Sequence, residues 1–307
     1  MNSVRIFCLF LFILAPQLSA QIATSLRMSK KSYLSGEAII AEVIVTNHTG
    51  RDLTLTSSRA LPWLSFVVSS ASGEAVTTRK LNAFGAMNIK AGSSLAKRID
   101  LNEFFLLNKQ GNYGVSAIVR DPSEKVQGAT TNRILFNINP GKTYWSQKVG
   151  IKNDKGSGVR ELRILTYSDG QKTQLYAQSI DDRIGTPVST FLLGNVLLLR
   201  KPSVTLDSRQ HMHVMYLATP SVWVHYQISS EGKVISRDIH KTASQGEPVL
   251  MSFGDGSVRV LNSILYDPKA AELERKKIRK ATDRPELGIE CSSIGIACDF
   301  RSFAFLK

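Results

Sequence analysis

The chain has 307 residues, 43% of them apolar and 8% aromatic, with 39 basic and 25 acidic side chains for a formal charge of +14. That length accommodates two domains, each with its own core, and a composition this apolar, without low-complexity tracts, excludes a largely disordered chain. The positive excess either suits an acidic surface, such as anionic envelope polymers, lipid headgroups or nucleic acid, or is spread over solvated faces.

Met1 to Arg5 supply a short start with one positive charge, Ile6 to Leu14 form an unbroken apolar run, and Leu18-Ser19-Ala20 precede Gln21. This order predicts a cleaved secretory signal over residues 1–20, because the apolar run is too short to cross roughly 30 Å of hydrocarbon. Cys8 lies inside the run without the small residues that a lipoprotein cleavage site places before its cysteine. The expected location is therefore secreted or periplasmic, with no transmembrane segment after processing. Cleavage removes Arg5 and no acid, so 38 basic and 25 acidic residues remain, a formal +13. Only Cys291 and Cys298 survive, with six residues between them, and they read as one local disulfide, since no further metal ligands stand nearby.

Residues 21 to 139 read as the first domain. Gln21 to Met28 predicts a leading strand, and Lys30-Lys31-Ser32 a polar bridge. From Tyr33 a turn at Ser35-Gly36-Glu37 enters a strand through Ile39, Val43 and Val45, and a second turn at Asn47 to Asp52 enters Leu53 and Leu55. Strands follow at Leu64 to Ser69, Ala75 to Thr78, Leu95 to Leu101, Val115 to Val119 and Ile134 to Ile138. Seven or so short strands with turns at eight to twelve residue spacing describe a β-sandwich. Asn47-His48-Thr49 matches a glycosylation acceptor, but it also sits where a turn wants asparagine.

Tyr33-x-x-Gly36-Glu37, the run to Val45-Thr46-Asn47 and Gly111-x-Tyr113-x-Val115 resemble bacterial immunoglobulin-like sandwich domains, a pattern shared by exported envelope proteins and proteinase-inhibitor-like sandwiches. The resemblance implies a fold more than a function. It also implies that Tyr113 is a corner tyrosine tying the last strands together.

Residues 140 to 307 form the second half, predicted as an antiparallel β domain. Strands are expected at Val159 to Tyr167, Thr173 to Ser179, Phe191 to Leu199, Val204 to Asp207, His211 to Leu217, Val222 to Ile228, Val234 to Ile239, Val249 to Phe253 and Val258 to Leu265. Phe191 to Leu199 is apolar enough to predict burial on both faces. Asp207-Ser208-x-x-His211-x-His213-Val214-x-Tyr216 resembles strands of the propeller blades of exported bacterial proteins. At roughly 40–45 residues a blade, residues 143 to 267 hold about three, fewer than a closed propeller uses. The region is thus an incomplete, propeller-like array or a second sandwich. Asp267-Pro268 caps one short surface helix, predicted over 268–281. Beyond it lie Cys291 and Cys298 and an alternating Phe300, Phe303, Phe305 strand.

The fold class is therefore all-β, and the candidate ligand-binding residues sit in one hairpin: His211, His213, Tyr216, Trp223 and Tyr226. Exposed together, the three aromatics would make a stacking platform for sugars or a partner protein; buried, they are core. A hairpin turning symmetrically about Thr219-Pro220 pairs 213 with 226 and 214 with 225. That register sends His213 and His225 to opposite faces, with no carboxylate in the hairpin, so no metal is expected. No zinc-protease helix, nucleophile elbow or dinucleotide glycine pattern occurs, and neither a catalytic set nor a cofactor is assigned. The expected function is non-enzymatic binding of an envelope macromolecule, protein or polysaccharide and anionic in character, with no nucleic-acid partner. The alternative is a secreted hydrolase of polysaccharide or peptide using Asp207 or Asp255. A third reading, protease inhibition, follows from fold analogy alone.

Overall fold

Alternation in the sequence becomes alternation of burial in space. In the segment Ile40–Asn47 every second side chain, Ala41, Val43, Val45 and Asn47, is buried. The structure is a computed structural model that describes residues 22–57, 61–80, 84–121, 128–153 and 156–277. The predicted signal peptide, the predicted helical residues 278–281 and both Cys291 and Cys298 lie outside the described residues.

The first half supplies β1 (Ile22–Met28), β2 (Ser32–Leu34), β3 (Ile40–Asn47), β4 (Leu53–Leu55) and β5 (Leu64–Ser70), then β6 (Met87–Ile89), β7 (Ser94–Asp100), β8 (Gly111–Val119), β9 (Ala129–Thr130) and β10 (Ile134–Asn139). They form a three-stranded sheet in the order β1-β3-β7, a sheet in the order β2-β10-β8-β5 with β9 against β8, and a β4-β6 ribbon. Buried side chains from all three, among them Val43, Ile99, Leu64, Val115, Phe136 and Leu55, make one apolar cluster. Ala75 to Thr78, expected as a strand, makes only isolated bridges, Ser69 with Ala75 and Thr78 with Phe105. The turn at residues 71–74 brings Val76 back onto Val68 at once, leaving no length for a ladder.

Two local predictions depend on side-chain hydrogen bonds. The Asn47 amide is fully buried, donates to the carbonyls of Arg51 and Ile89 and accepts from the Thr49 N–H, so it closes a turn and offers no site for a glycan. The Tyr113 hydroxyl donates to the Lys109 carbonyl at 2.7 Å while its ring stacks on Phe136.

The second half begins with β11 (Lys142–Asn153), β12 (Gly156–Ser168), β13 (Thr173–Asp181) and β14 (Thr186–Asn195), an up-and-down sheet in chain order. Next come β15 (Ser203–Leu206), β16 (Met212–Thr219), β17 (Val222–Ile228) and β18 (Val234–Thr242), then the ribbon strands β19 (Val249–Ser252) and β20 (Val258–Leu261), and β21 (Ser263–Leu265), which joins the edge of β18. The chain is all-β, with its larger sheets in a propeller-like arrangement of four. Instead of three blades, residues 142–265 hold two sheets and one ribbon. Asn262, at φ 55, breaks the expected strand from Val258 to Leu265 and sends its end from the ribbon to the large sheet.

The apolar run Phe191 to Leu199 is only half strand. β14 ends at Asn195, the backbone N–H of Leu197 donates to the Leu217 carbonyl, and Leu198 and Leu199 are exposed. Gly194 prepares that exit: it has φ 151, and a Cβ there would lie 2.6 Å from the Tyr216 hydroxyl. An apolar window cannot reveal this, because the strand is ended by a partner 22 residues further along the chain.

The halves meet through the Ser35-Gly36-Glu37 turn. Lys30 pairs with Glu37 and lies over the rings of Tyr33 and Tyr176, while Gln178 and Thr190 both donate to the Ser35 carbonyl. Leu34, Leu165 and Tyr176 fill the space beside it. The described residues up to 264 form one compact unit. In the second unit, the helix α1 (Pro268–Lys277) begins as expected, with the Asp267 carboxylate accepting from the Lys269 N–H at 2.9 Å. Among the described residues no helix is long and apolar enough to cross a membrane.

Candidate functional site

The sheet built from β15 to β18 carries a row of histidines on one face. In the β16–β17 hairpin Met215 pairs with His225 and His213 with Gln227, with a bulge between Leu217 and Thr219. One extra residue moves the register by one position, which transfers a side chain from one face to the other. His213 and His225, expected on opposite faces, are therefore neighbours: Nδ1 of His213 lies 3.0 Å from Nε2 of His225, and the rings stack at 5.2 Å. β18 adds His240, whose Nδ1 is 3.1 Å from the Ser263 hydroxyl.

Carboxylates missing from the hairpin sequence arrive from its neighbours. Oδ2 of Asp207, in the turn before β16, lies 3.1 Å from Nδ1 of His211 and 3.5 Å from Nε2 of His213. Oδ2 of Asp238, on β18, lies 3.8 Å from Nδ1 of His225. Among the described residues no group of three ligand-type side chains is placed to hold a metal ion.

Burial alone would raise the Asp207 carboxyl, but the backbone N–H and ring of His211, with further donors from His213 and Arg209, outweigh it and hold the group below the usual carboxylate range. Burial depresses His213, against the opposing pull of Asp207. Burial, and then the neighbouring His213, push His225 down to about 4. Burial also lowers His240. Near neutral pH the row is therefore a chain of uncharged imidazoles, with Asp207 at its His213 end and Asp238 beside His225. Nε2 of His240 has no hydrogen-bond partner among the described residues.

Tyr216, Trp223 and Tyr226 do not form a platform. They are 1%, 6% and 7% exposed, and they divide between the two faces of the sheet. Tyr216 and Tyr226 both donate to the Leu193 carbonyl, at 2.7 and 3.0 Å, whereas Trp223 packs with Met215 and Leu217 on the histidine face. Asp255, the other candidate acid, is exposed and accepts from the Ser257 N–H at 2.8 Å. Its contacts with Ser257 hold the carboxyl below the usual range. Neither Asp207 nor Asp255 has the raised pKa that a general acid needs.

Two open cavities lie elsewhere, one on the β2-β10-β8-β5 sheet and one beside β1 and β10. One of about 500 Å³ is lined by Ser70, Asn112 and Asn137 over a floor of Tyr113 and Phe136. An adjoining one of about 750 Å³ runs past Arg27, Ser29 and Lys30. Lys31, Arg133 and Leu135 line both, and neither is lined by a carboxylate. Arg133 donates to the Ser69 hydroxyl at 2.9 Å and rests where a side chain at Gly114 would otherwise stand, 2.5 Å from its Nε. Nothing in the sequence marks these residues as a site. Lys30-Lys31 is visible as a small basic cluster, but only the parallel pairing of β2 with β10 sets it beside Arg133, about a hundred residues away.

No family model matches the chain, and no curated protein matches it. Among solved structures, the sporulation control protein Spo0M from Bacillus subtilis is similar at 8% identity over 54% of this chain and 82% of that one, with a TM-score of 0.26. A likeness so faint carries no argument about this chain.

Proposed function

We propose that this protein is an exported, non-enzymatic binding or scaffold protein of the cell envelope or extracellular space, whose partner is another envelope macromolecule, protein or polysaccharide. One observation carries the proposal: two open, adjoining grooves share a wall of Lys31, Arg133 and Leu135 and have no carboxylate in their linings. Their volumes lie within the roughly 300–1,000 Å³ of ligand sites. The acid–base groups are, by contrast, engaged with one another or with turn backbone. Removal of residues 1–20, an immunoglobulin-like sandwich over 21–139 and a Cys291–Cys298 disulfide belong to the same proposal.

Cell fractionation and cosedimentation test it. Processed protein is expected outside the cytoplasm, retained by purified envelope. Unprocessed protein inside the cell, or no retention by envelope material, overturns it. The hydrolase alternative rests on Asp207 and Asp255, whose lowered carboxyls speak against it, and the inhibitor alternative rests on resemblance alone.

A further inference from the structure

The two grooves differ in chemistry although they share a wall. Arg27, Lys31 and Arg133 are exposed and carry no ion pair among the described residues, whereas Lys30 is neutralised by Glu37. Lone cations of this kind are open to a ligand's acid groups. Arg133 is the most prepared of the three: Gly114 leaves the space its guanidinium occupies, and Ser69 holds one of its five N–H donors. A bidentate approach to a carboxylate, sulfate or phosphate remains open to the others.

Beside the shared Lys31 and Arg133, the groove of about 500 Å³ adds uncharged hydrogen-bonding groups. Asn112 is exposed, and Asn137, whose Oδ1 accepts from the Asn139 amide, and Ser70, whose hydroxyl pairs with that of Ser72, are half-buried; their remaining hydrogen-bonding capacity matches the size and polarity of a sugar's hydroxyls. Leu135, 68% exposed, lines both grooves and offers an apolar ridge to a ring's C–H face. The two aromatic rings here, Tyr113 and Phe136, are buried, so nucleic-acid bases have no face to stack on.

We propose that the two grooves are one site for an acidic polysaccharide, with acid groups on Arg27, Lys31 and Arg133 and hydroxyls on Ser70, Asn112 and Asn137. This rests on the binding function proposed above and names the class of its ligand.

The test measures binding of the mature protein to polygalacturonate oligomers, with neutral dextran and an oligothymidylate of equal charge as comparators. Polygalacturonate is expected to bind with an affinity that falls as salt rises, dextran not to bind, and oligothymidylate to bind more weakly. Arg133→Glu and Lys31→Glu are each expected to weaken polygalacturonate binding about tenfold or more, the loss of a charge-assisted contact. Lys172→Glu, outside both linings, leaves it unchanged. Gly114→Ala, which displaces the Arg133 guanidinium without removing it, weakens binding as well. Asn112→Ala with Asn137→Ala lowers affinity for polygalacturonate and leaves that for oligothymidylate unaltered. Unchanged melting temperatures in the glutamate variants separate lost binding from lost folding.

Equal binding of oligothymidylate overturns the sugar half of the proposal, and full affinity in Arg133→Glu and Lys31→Glu overturns the site. If envelope material still retains a protein that ignores polygalacturonate, the ligand class is wrong and the binding function stands. If it retains none, both fall.

Discussion

His213 and His225 touch, Nδ1 to Nε2 at 3.0 Å, because Ala218 is left without a partner between the paired residues Leu217 and Thr219. A single bulged residue thus turns two isolated imidazoles into a row that continues to His240 and is flanked by Asp207 and Asp238. The row is buried and uncharged, and that has a measurable consequence for stability.

Unfolded histidines titrate near 6.5, whereas His225 in the fold is pushed down to about 4. As pH falls between those values the unfolded chain takes up the proton first, so stability drops across that window and levels below it. The His225 contribution is up to about 3 kcal/mol. His213 and His240, also lowered, act in the same direction. The lowered Asp207 carboxyl adds a separate loss, beginning only as pH falls below its ordinary value of roughly 3.9. Urea unfolding at pH 7 and pH 4.5 should show the drop, and a smaller one in His225→Gln, where His213 and His240 remain. A flat profile in the parent protein would contradict a buried neutral row.

Gly36 holds the turn that joins the halves at φ +80, and a Cβ there would stand 2.3 Å from Cβ of Pro187. Gly36→Ala should cost about 2–4 kcal/mol, combining left-handed strain with overpacking. Gly73→Ala, at φ +85 in open space, should cost only about 1 kcal/mol. Equal costs in chemical denaturation would show that the Gly36 contact is not required.

Leu193 is the bulged residue of β14, skipped between Leu192 and Gly194 in the ladder, and its carbonyl accepts from two tyrosines instead. Tyr216→Phe and Tyr226→Phe should each cost about 1 kcal/mol, since the other hydroxyl still satisfies the carbonyl. The double variant should lose more than the sum, because a buried acceptor is then left bare. Simple additivity in a double-mutant cycle would remove the shared-acceptor explanation.

Trp223, with Met215 and Leu217 beside it, is core. Trp223→Ala should destabilise by about 3–5 kcal/mol while leaving envelope retention intact at temperatures where the variant is folded. Lost retention with unchanged stability would restore the aromatic platform.

Much of the architecture was legible in the chain. Val222–Ile228 coincides with its predicted strand, and Val115, Ala117, Val119, Phe136 and Ile138 are buried as their alternation implies. The Asn47 turn and the start of α1 at Pro268 follow from residues within four positions of each other, so local chemistry suffices. Alternation records one bit per residue, inward or outward, and that bit survives whatever the strand pairs with.

Pairing itself is not local. Whether Ala218 bulges, whether β14 stops before Leu198, and whether Lys31 stands beside Arg133 depend on partners far along the chain. The sequence alone determined an all-β chain and its buried faces, because side-chain period follows directly from backbone geometry. The tertiary structure decided which histidines meet, which aromatics are hidden and where free cations gather, because each is set by register and strand order, and a shift of one residue reverses the face.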